Sequence, residues 1–271
     1  MVDKKVYEYN LHMSRFFSGN QKTIKRKGKI TDLTIEGEKT TLYLYPFDKG
    51  IVFRRGKRTY HLNPEAVMVK KNRVFIGPIG MIEHLLFSLF LFGVDNILIE
   101  SQRDLPIFDG SALGYYHLIK DIGIIDLRRK RRLFRFREAM IRKRESTIIT
   151  RDDDKVAMIL SYHPEKIPLS KTRIRLKDPH DLIQARTFVF TSSDDPRIRN
   201  YRFGIGITEK GCLPDLRHPD EPIRHKLLDL IGDLYTTGRP FTARIEAINP
   251  NHRINIALVK NQWRRDDSRG V

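Results

Sequence analysis

Stretches rich in aromatic and β-branched residues mark the first elements of this chain. Lys39–Tyr45 and Gly50–Arg55 predict strands, an almost wholly apolar run opening at Glu83 predicts a core helix, and Asn96–Glu100 returns to strand. Tyr115–Gly123 predicts a second short helix that stops at its glycine. After the basic run Arg128–Arg132, three segments alternate like strands: Phe134–Met140, Ser146–Thr150 and Val156–Tyr162. Asp181–Arg186 and Ile223–Thr237 predict helices, Phe241–Ile248 a strand, and Asn255–Gln262 a closing helix. Strand and helix groups thus recur on both sides of the basic run. The pattern predicts an α+β protein of two domains, residues 1–130 and 131–271. The longest apolar run, Leu85–Leu98, is broken by Ser88, Gly93, Asp95 and Asn96 and is too short to cross a bilayer. Met1–Asn20 lacks the apolar centre of a signal peptide, so a cytoplasmic, soluble chain is expected.

Within the pattern at residues 223–237, one polar stripe stands out. His225, Asp229 and Asp233 recur at four-residue steps, which stack side chains on one helix face, while Leu227, Leu228, Leu230 and Ile231 fill the core-facing positions. Polar groups beside a core need partners. A divalent metal taking His225 and Asp229, with Asp233 left to orient another group, is one solution; a solvated face with ordinary i,i+4 pairs is the other. A second signal is the adjacent pair Glu83-His84 at the start of the apolar helix. Neighbours on a helix diverge by about a quarter turn or more, so His84 can bind a metal while Glu83 points at a water, the division of labour a metal-dependent hydrolase needs. A carboxylate favoured by the helix dipole is the plainer alternative.

Charge and cysteine content narrow the choices. The formal net charge is +18, a field that attracts nucleic acid, anionic membrane surfaces and nucleotide diphosphates alike. Cys212 is the only cysteine, so thiolate zinc clusters and intramolecular disulfides are excluded, and any metal must use His and carboxylate.

Five ordered blocks resemble the zinc-dependent UDP-3-O-acyl-N-acetylglucosamine deacetylases of lipid A synthesis. They are Ile82-Glu83-His84-Leu85-Leu86; Gly93-Val94-Asp95-Asn96 with Leu105–Ala112; Ala185-Arg186-Thr187-Phe188; Glu221–Lys226 through Asp233-Leu234; and His252-Arg253-Ile254-Asn255. The resemblance implies two related α+β sandwich domains, each a sheet with a helix pair, packed with the active site between them. It implies His84, His225 and Asp229 as zinc ligands; a pair of histidines plus one aspartate also suits ferrous iron, so the choice between the two ions stays open. It makes Glu83 the general base, Thr187 a donor to the oxyanion, and His252 an imidazolium that stabilises the oxyanion and protonates the leaving amine, with Asp233 as its partner. Lys226 and Phe188 match positions that contact substrate; a solvated lysine and a core aromatic are the plainer readings of the two. The implied partner is a UDP-sugar lipid precursor acted on by a monomer, with an anionic membrane surface as a second partner and no nucleic acid.

Departures from the family pattern concern the substrate rather than the chemistry. Thr34-Ile35-Glu36-Gly37 stands where the family has a Gly-Leu-His-Ser-Gly turn, and Val74–Ile79 lacks the usual Thr-x-Leu-Gly form. Asn251 replaces the glycine before His252. Only 36 residues separate Phe188 from His225, and the element that builds an acyl-chain passage in the family is replaced by the shorter, more basic Arg199–Ile207. Two alternatives follow: a zinc deacetylase of a different N-acetylated sugar or sugar nucleotide, and a basic nucleic-acid-binding protein without catalysis. Against the latter, no recognised nucleic-acid module occurs.

Overall fold

A computed structural model describes residues 19–163, 173–195 and 202–267. The first half runs β1 (Asn20–Ile24), β2 (Gly28–Leu33), β3 (Lys39–Tyr45), β4 (Ile51–Arg55), β5 (Arg58–His61), β6 (Val67–Lys70), β7 (Arg73–Ile76), β8 (Ile79–Gly80), helix α1 (Glu83–Phe92), β9 (Ile97–Ser101), helix α2 (Leu113–Ile122) and β10 (Ile124–Lys130). The second runs β11 (Phe134–Arg135), β12 (Ala139–Lys143), β13 (Ser146–Arg151), β14 (Val156–Ser161), β15 (Arg173–Arg175), β16 (Phe188–Phe190), β17 (Ile205–Thr208), β18 (Gly211–Leu213), helix α3 (Glu221–Leu234), β19 (Phe241–Ile248) and helix α4 (His252–Asp267).

The two halves share one topology. The first large sheet has the order β2-β3-β9-β4-β5 and the second β12-β13-β19-β14-β15. In each, two hairpins flank a strand that comes last in sequence and pairs antiparallel to one hairpin and parallel to the other. In each, a three-stranded sheet, β6-β7-β8 or β16-β17-β18, is inserted before the first helix. The architecture is α+β, as the element pattern predicts. Among the described strands, none before Arg131 pairs with one after it.

Alternation along the strands creates the core. Leu42 and Leu44 on β3, Ile97 and Ile99 on β9, and Ile245 and Ala247 on β19 are buried, with their neighbours turned outward. Helix α1 is buried along nearly its whole length and so has no solvent face; it packs on helix α3 of the other half. It ends at Gly93, whose φ of 63° allows the left-handed cap that accommodates bonds from its N–H to Leu89 and Phe90. Below the cap, Phe90 stacks on Phe241 at 5.2 Å and meets Tyr235 edge-on at 5.7 Å, so the halves share one aromatic cluster.

One local expectation changes. Asp181–Arg186 is not an α-helix but a single 3-10 turn, Pro179–Leu182, whose entry is capped by Asp178 accepting from the His180 N–H. Six residues are too few to offset helix nucleation, and Arg186 is drawn away by Glu221 on α3. Within the basic run at the junction, the Arg131 side chain is 1% exposed and bonds Asp95 at 3.0 Å. Among the described residues, no helix is long and apolar enough to cross a membrane.

The crossing of α1 and α3 is close enough to test. A Cβ on Gly232 would stand 2.3 Å from the Glu83 carbonyl oxygen, a backbone atom that cannot swing aside. Gly232→Ala should therefore cost about 1–3 kcal/mol in denaturant unfolding and lower activity by displacing Glu83 and His84. Unchanged stability and activity would contradict the close approach.

Candidate active site

Three helices bring their polar residues to one cavity of 360 Å³ between the halves. Glu83 and His84 enter from the first turn of α1, His225 and Asp229 from one face of α3, and His252 from the first turn of α4. Thr187, Phe188 and Lys226 line the same space. Asp233, one turn beyond Asp229, lies behind His252 and is fully buried. Every residue singled out from the sequence is thus at or directly behind this cavity.

Atom positions around Asp229 suit a metal. Its Oδ1 lies 3.3 Å from His225 Nε2 and 3.8 Å from His84 Nε2, and one donor from each residue falls within 4.8 Å of the others. Three ligands each about 2.1 Å from a tetrahedral ion would stand about 3.4 Å apart. The His225 ring is turned by its other nitrogen: Nδ1 donates to the Ala185 carbonyl at 3.0 Å, leaving the Nε2 lone pair directed at the cluster. Burial, with the neighbouring His225, pushes His84 down to about 3, so its imidazole is neutral and able to donate a lone pair. Burial opposes the charge on Asp229, yet His225, His252 and Lys226 hold its carboxyl well below the usual range. Neutral imidazole and ionised carboxylate are the protonation states a metal requires. The donor set therefore fits a divalent ion.

Beside this triad sit an acid and a base of opposite tendency. Burial, reinforced by Asp233 and Asp229, pushes Glu83 up to about 8, and its Oε2 has no hydrogen-bond partner among the described residues. A buried orphan oxygen is costly unless something fills the space before it. His252 goes the other way. Burial disfavours its charge, but Asp233 and Asp229 outweigh that and raise it to about 10. Its Nδ1 donates to Asp233 Oδ2 at 2.8 Å, and Asn255 Nδ2 donates to the same oxygen at 2.8 Å.

Asn251, which stands where the family has glycine, caps helix α4. Its Oδ1 accepts from the backbone N–H groups of Arg253 and Ile254, capping α4, and its Nδ2 donates to Ser146. The substitution supplies a cap and leaves His252 on Asp233. The Thr34–Gly37 turn, which lacks the family's histidine, closes with the Gly37 N–H on the Thr34 carbonyl and places Ile35 in the cavity wall. Of the altered segment Arg199–Ile207, residues 199–201 lie outside the described residues.

Other contributors were not singled out in the sequence. Arg186 donates to both oxygens of the buried Glu221 on α3, fixing the start of the Thr187 segment, whose N–H donates to the Gly110 carbonyl. The hairpin tip Lys71-Asn72, both residues at positive φ, closes the cavity from the first half. A turn-forming asparagine between two apolar alternations, Val67–Lys70 and Arg73–Ile76, was the available signal. Lys226 donates to Asp229 Oδ2 at 3.3 Å and lies 5.4 Å from the centre of the Phe188 ring. Neither residue is an ordinary solvated or core side chain.

The chain is similar to proteins of one family. A sequence profile of the family described as UDP-3-O-acyl N-acetylglycosamine deacetylase matches residues 21–263. UDP-3-O-acyl-N-acetylglucosamine deacetylases are similar to the chain: that of Chromobacterium violaceum at 29% identity and that of Neisseria meningitidis at 30%, each covering 89% of both chains. The enzyme of the same description from Nitratiruptor is 29% identical over 88% of this chain and 89% of its own.

The His252–Asp233 pair sets a pH dependence. The folded value of about 10 lies above the ordinary 6.5, so the pair contributes its full stability below pH 6.5 and loses it as pH rises through about 10. In urea unfolding of chelator-treated protein, His252→Gln should cost most below pH 6.5 and least above pH 10. A cost that does not vary with pH would contradict a charged pair.

Proposed function

This chain belongs to the UDP-3-O-acyl N-acetylglycosamine deacetylase family, and on that premise we propose how its own residues carry out the deacetylation. It is a hydrolase that removes the N-acetyl group from UDP-3-O-acyl-N-acetylglucosamine, a step of lipid A biosynthesis. The observation that carries the mechanistic reading is the buried His84/His225/Asp229 cluster, which shares its cavity with Glu83, whose Oε2 has no partner among the described residues, and with His252 on Asp233.

His84, His225 and Asp229 would hold a divalent ion, zinc or with the same ligands ferrous iron, which would supply Lewis acidity toward the acetamide carbonyl and the attacking water. Glu83 takes a proton from the attacking water as its oxygen bonds to the carbonyl carbon. Charge develops on the carbonyl oxygen, where the Thr187 hydroxyl donates a hydrogen bond and the His252 imidazolium adds positive charge. The C–N bond then breaks, and His252 gives its proton to the leaving amine; Asp233 keeps the imidazole oriented and charged until that moment. Acetate and the free amine leave. Lys226 and Phe188 contact the bound sugar nucleotide, the lysine as a charge for its oxygens and the ring as an apolar wall.

The remaining expectations belong to the same proposal. The chain works as a cytoplasmic monomer of two domains, 1–130 and 131–271, with Glu83 and His84 from the first and the other site residues from the second. Its acylated substrate is drawn from an anionic membrane surface, for which the +18 charge is suited.

Deacetylation of acylated and unacylated UDP-N-acetylglucosamine, measured beside metal content, tests this. Wild type should hold about one metal per chain and prefer the acylated substrate. Glu83→Gln should keep the metal and lose about 10²–10⁴-fold in kcat, Thr187→Val about 10²–10³-fold, and His225→Ala should lose the metal itself. Equal turnover of both substrates would move the activity to another N-acetylated sugar, and full activity in Glu83→Gln would overturn the mechanism.

A further inference from the structure

Registers across the second large sheet separate its two faces. Ile141, Ile148, Ala247, Leu160 and Ile174 stand in line and face the helices. The next residue along each strand faces away. One outward row runs Met140, Ile149, Glu246, Ile159, Arg175, and the next runs Arg142, Thr147, Ile248, Ser161, Arg173. Arg151 opposite Arg244 extends the same face.

Its charge is lopsided. Five arginines accompany a single acid, Glu246, which accepts from Arg151 at 3.2 Å. The other four, Arg142, Arg173, Arg175 and Arg244, are exposed and make no ion pair with a described residue. Apolar side chains sit among them. Met140 is 65% and Ile248 44% exposed, with Ile149 and Ile159 half-buried between. Described helices contact this sheet through α3 and α4, which lie on its other side. Cations around protruding aliphatic side chains complement a layer of anionic headgroups over acyl chains. These rows contain no aromatic side chain on which a base could stack.

The position of the face matters as much as its chemistry. Ile248 is followed by Asn249, whose carbonyl accepts from Ser146, and then by Asn251 and Arg253, which line the catalytic cavity. Ile248 thus stands three residues along the chain from Asn251 in the cavity wall. Resting on the reading of a lipid-bearing substrate, we propose that this outer sheet face docks the enzyme on a bilayer rich in anionic phospholipid, with the cavity mouth brought to headgroup level. Substrate would then reach the cavity without its acyl chain crossing open water, which offsets the cost of exposing that chain.

Cosedimentation of the full chain with vesicles of phosphatidylcholine, alone or mixed with phosphatidylglycerol, tests the proposal. Binding only to the mixed vesicles, weakened by salt, is expected. Arg142→Glu/Arg173→Glu should weaken it about tenfold or more, and Met140→Ser/Ile248→Ser several-fold. Arg128→Glu/Lys130→Glu, an equal charge change at exposed sites on β10, should weaken it far less. Deacetylation of monomerically dispersed substrate by all variants, unchanged from wild type, verifies their folding. No binding to anionic vesicles, equal loss in both charge-reversed pairs, or capture of single-stranded nucleic acid in place of vesicles would overturn the docking surface. An active enzyme indifferent to vesicles counts against this surface alone, whereas an inactive chain that docks through it counts against the deacetylase reading alone.

Discussion

The Glu83 backbone approaches Gly232 so closely that no side chain fits between helices α1 and α3. That contact joins two halves whose sheets are otherwise separate, and it determines where His84 stands relative to His225 and Asp229. Side chains four residues apart on α3 provide two donors from one element, but the third must come from across the interface. A shift of an ångström at the crossing would open the triad beyond the span of one ion. The all-round apolar surface of α1 and the aromatic cluster of Phe90, Tyr235 and Phe241 hold the crossing in place.

Burying so many titratable groups is expensive, and the arrangement meets the cost by distributing charge rather than cancelling it. His84 stays neutral, Asp229 stays ionised, and the proton that burial would deny His252 is retained by the carboxylates around it. Glu83 Oε2 and Asp233 Oδ1 are left without a hydrogen-bond partner among the described residues. Glu83, raised by burial, and His252, raised by the carboxylates around it, line one cavity with a His-His-Asp cluster able to hold a metal, an arrangement suited to amide hydrolysis.

Much of this was legible in the sequence because the signals were local. The stripe His225/Asp229/Asp233 needs only helical periodicity, and the strands Lys39–Tyr45 and Phe241–Ile248 need only alternation. What escaped was non-local. Nothing near Arg186 announces that Glu221, 35 positions on, will capture it and prevent the helix expected over Asp181–Arg186. The orientation of His225 depends on the Ala185 carbonyl, a backbone group that carries no residue-specific signature. The outward arginine rows were equally hidden, since Arg142, Arg173 and Arg244 come from three separated strands that only the sheet register aligns.

The central claim is that one divalent ion is held jointly by the two halves. Anomalous diffraction at the zinc edge, from crystals of protein purified without chelator, tests it most directly. The account predicts a single strong peak about 2.0–2.2 Å from His84 Nε2, His225 Nε2 and an oxygen of Asp229, with Glu83 and His252 outside the coordination shell. A peak held by α3 residues without His84, or no peak at all, would contradict it.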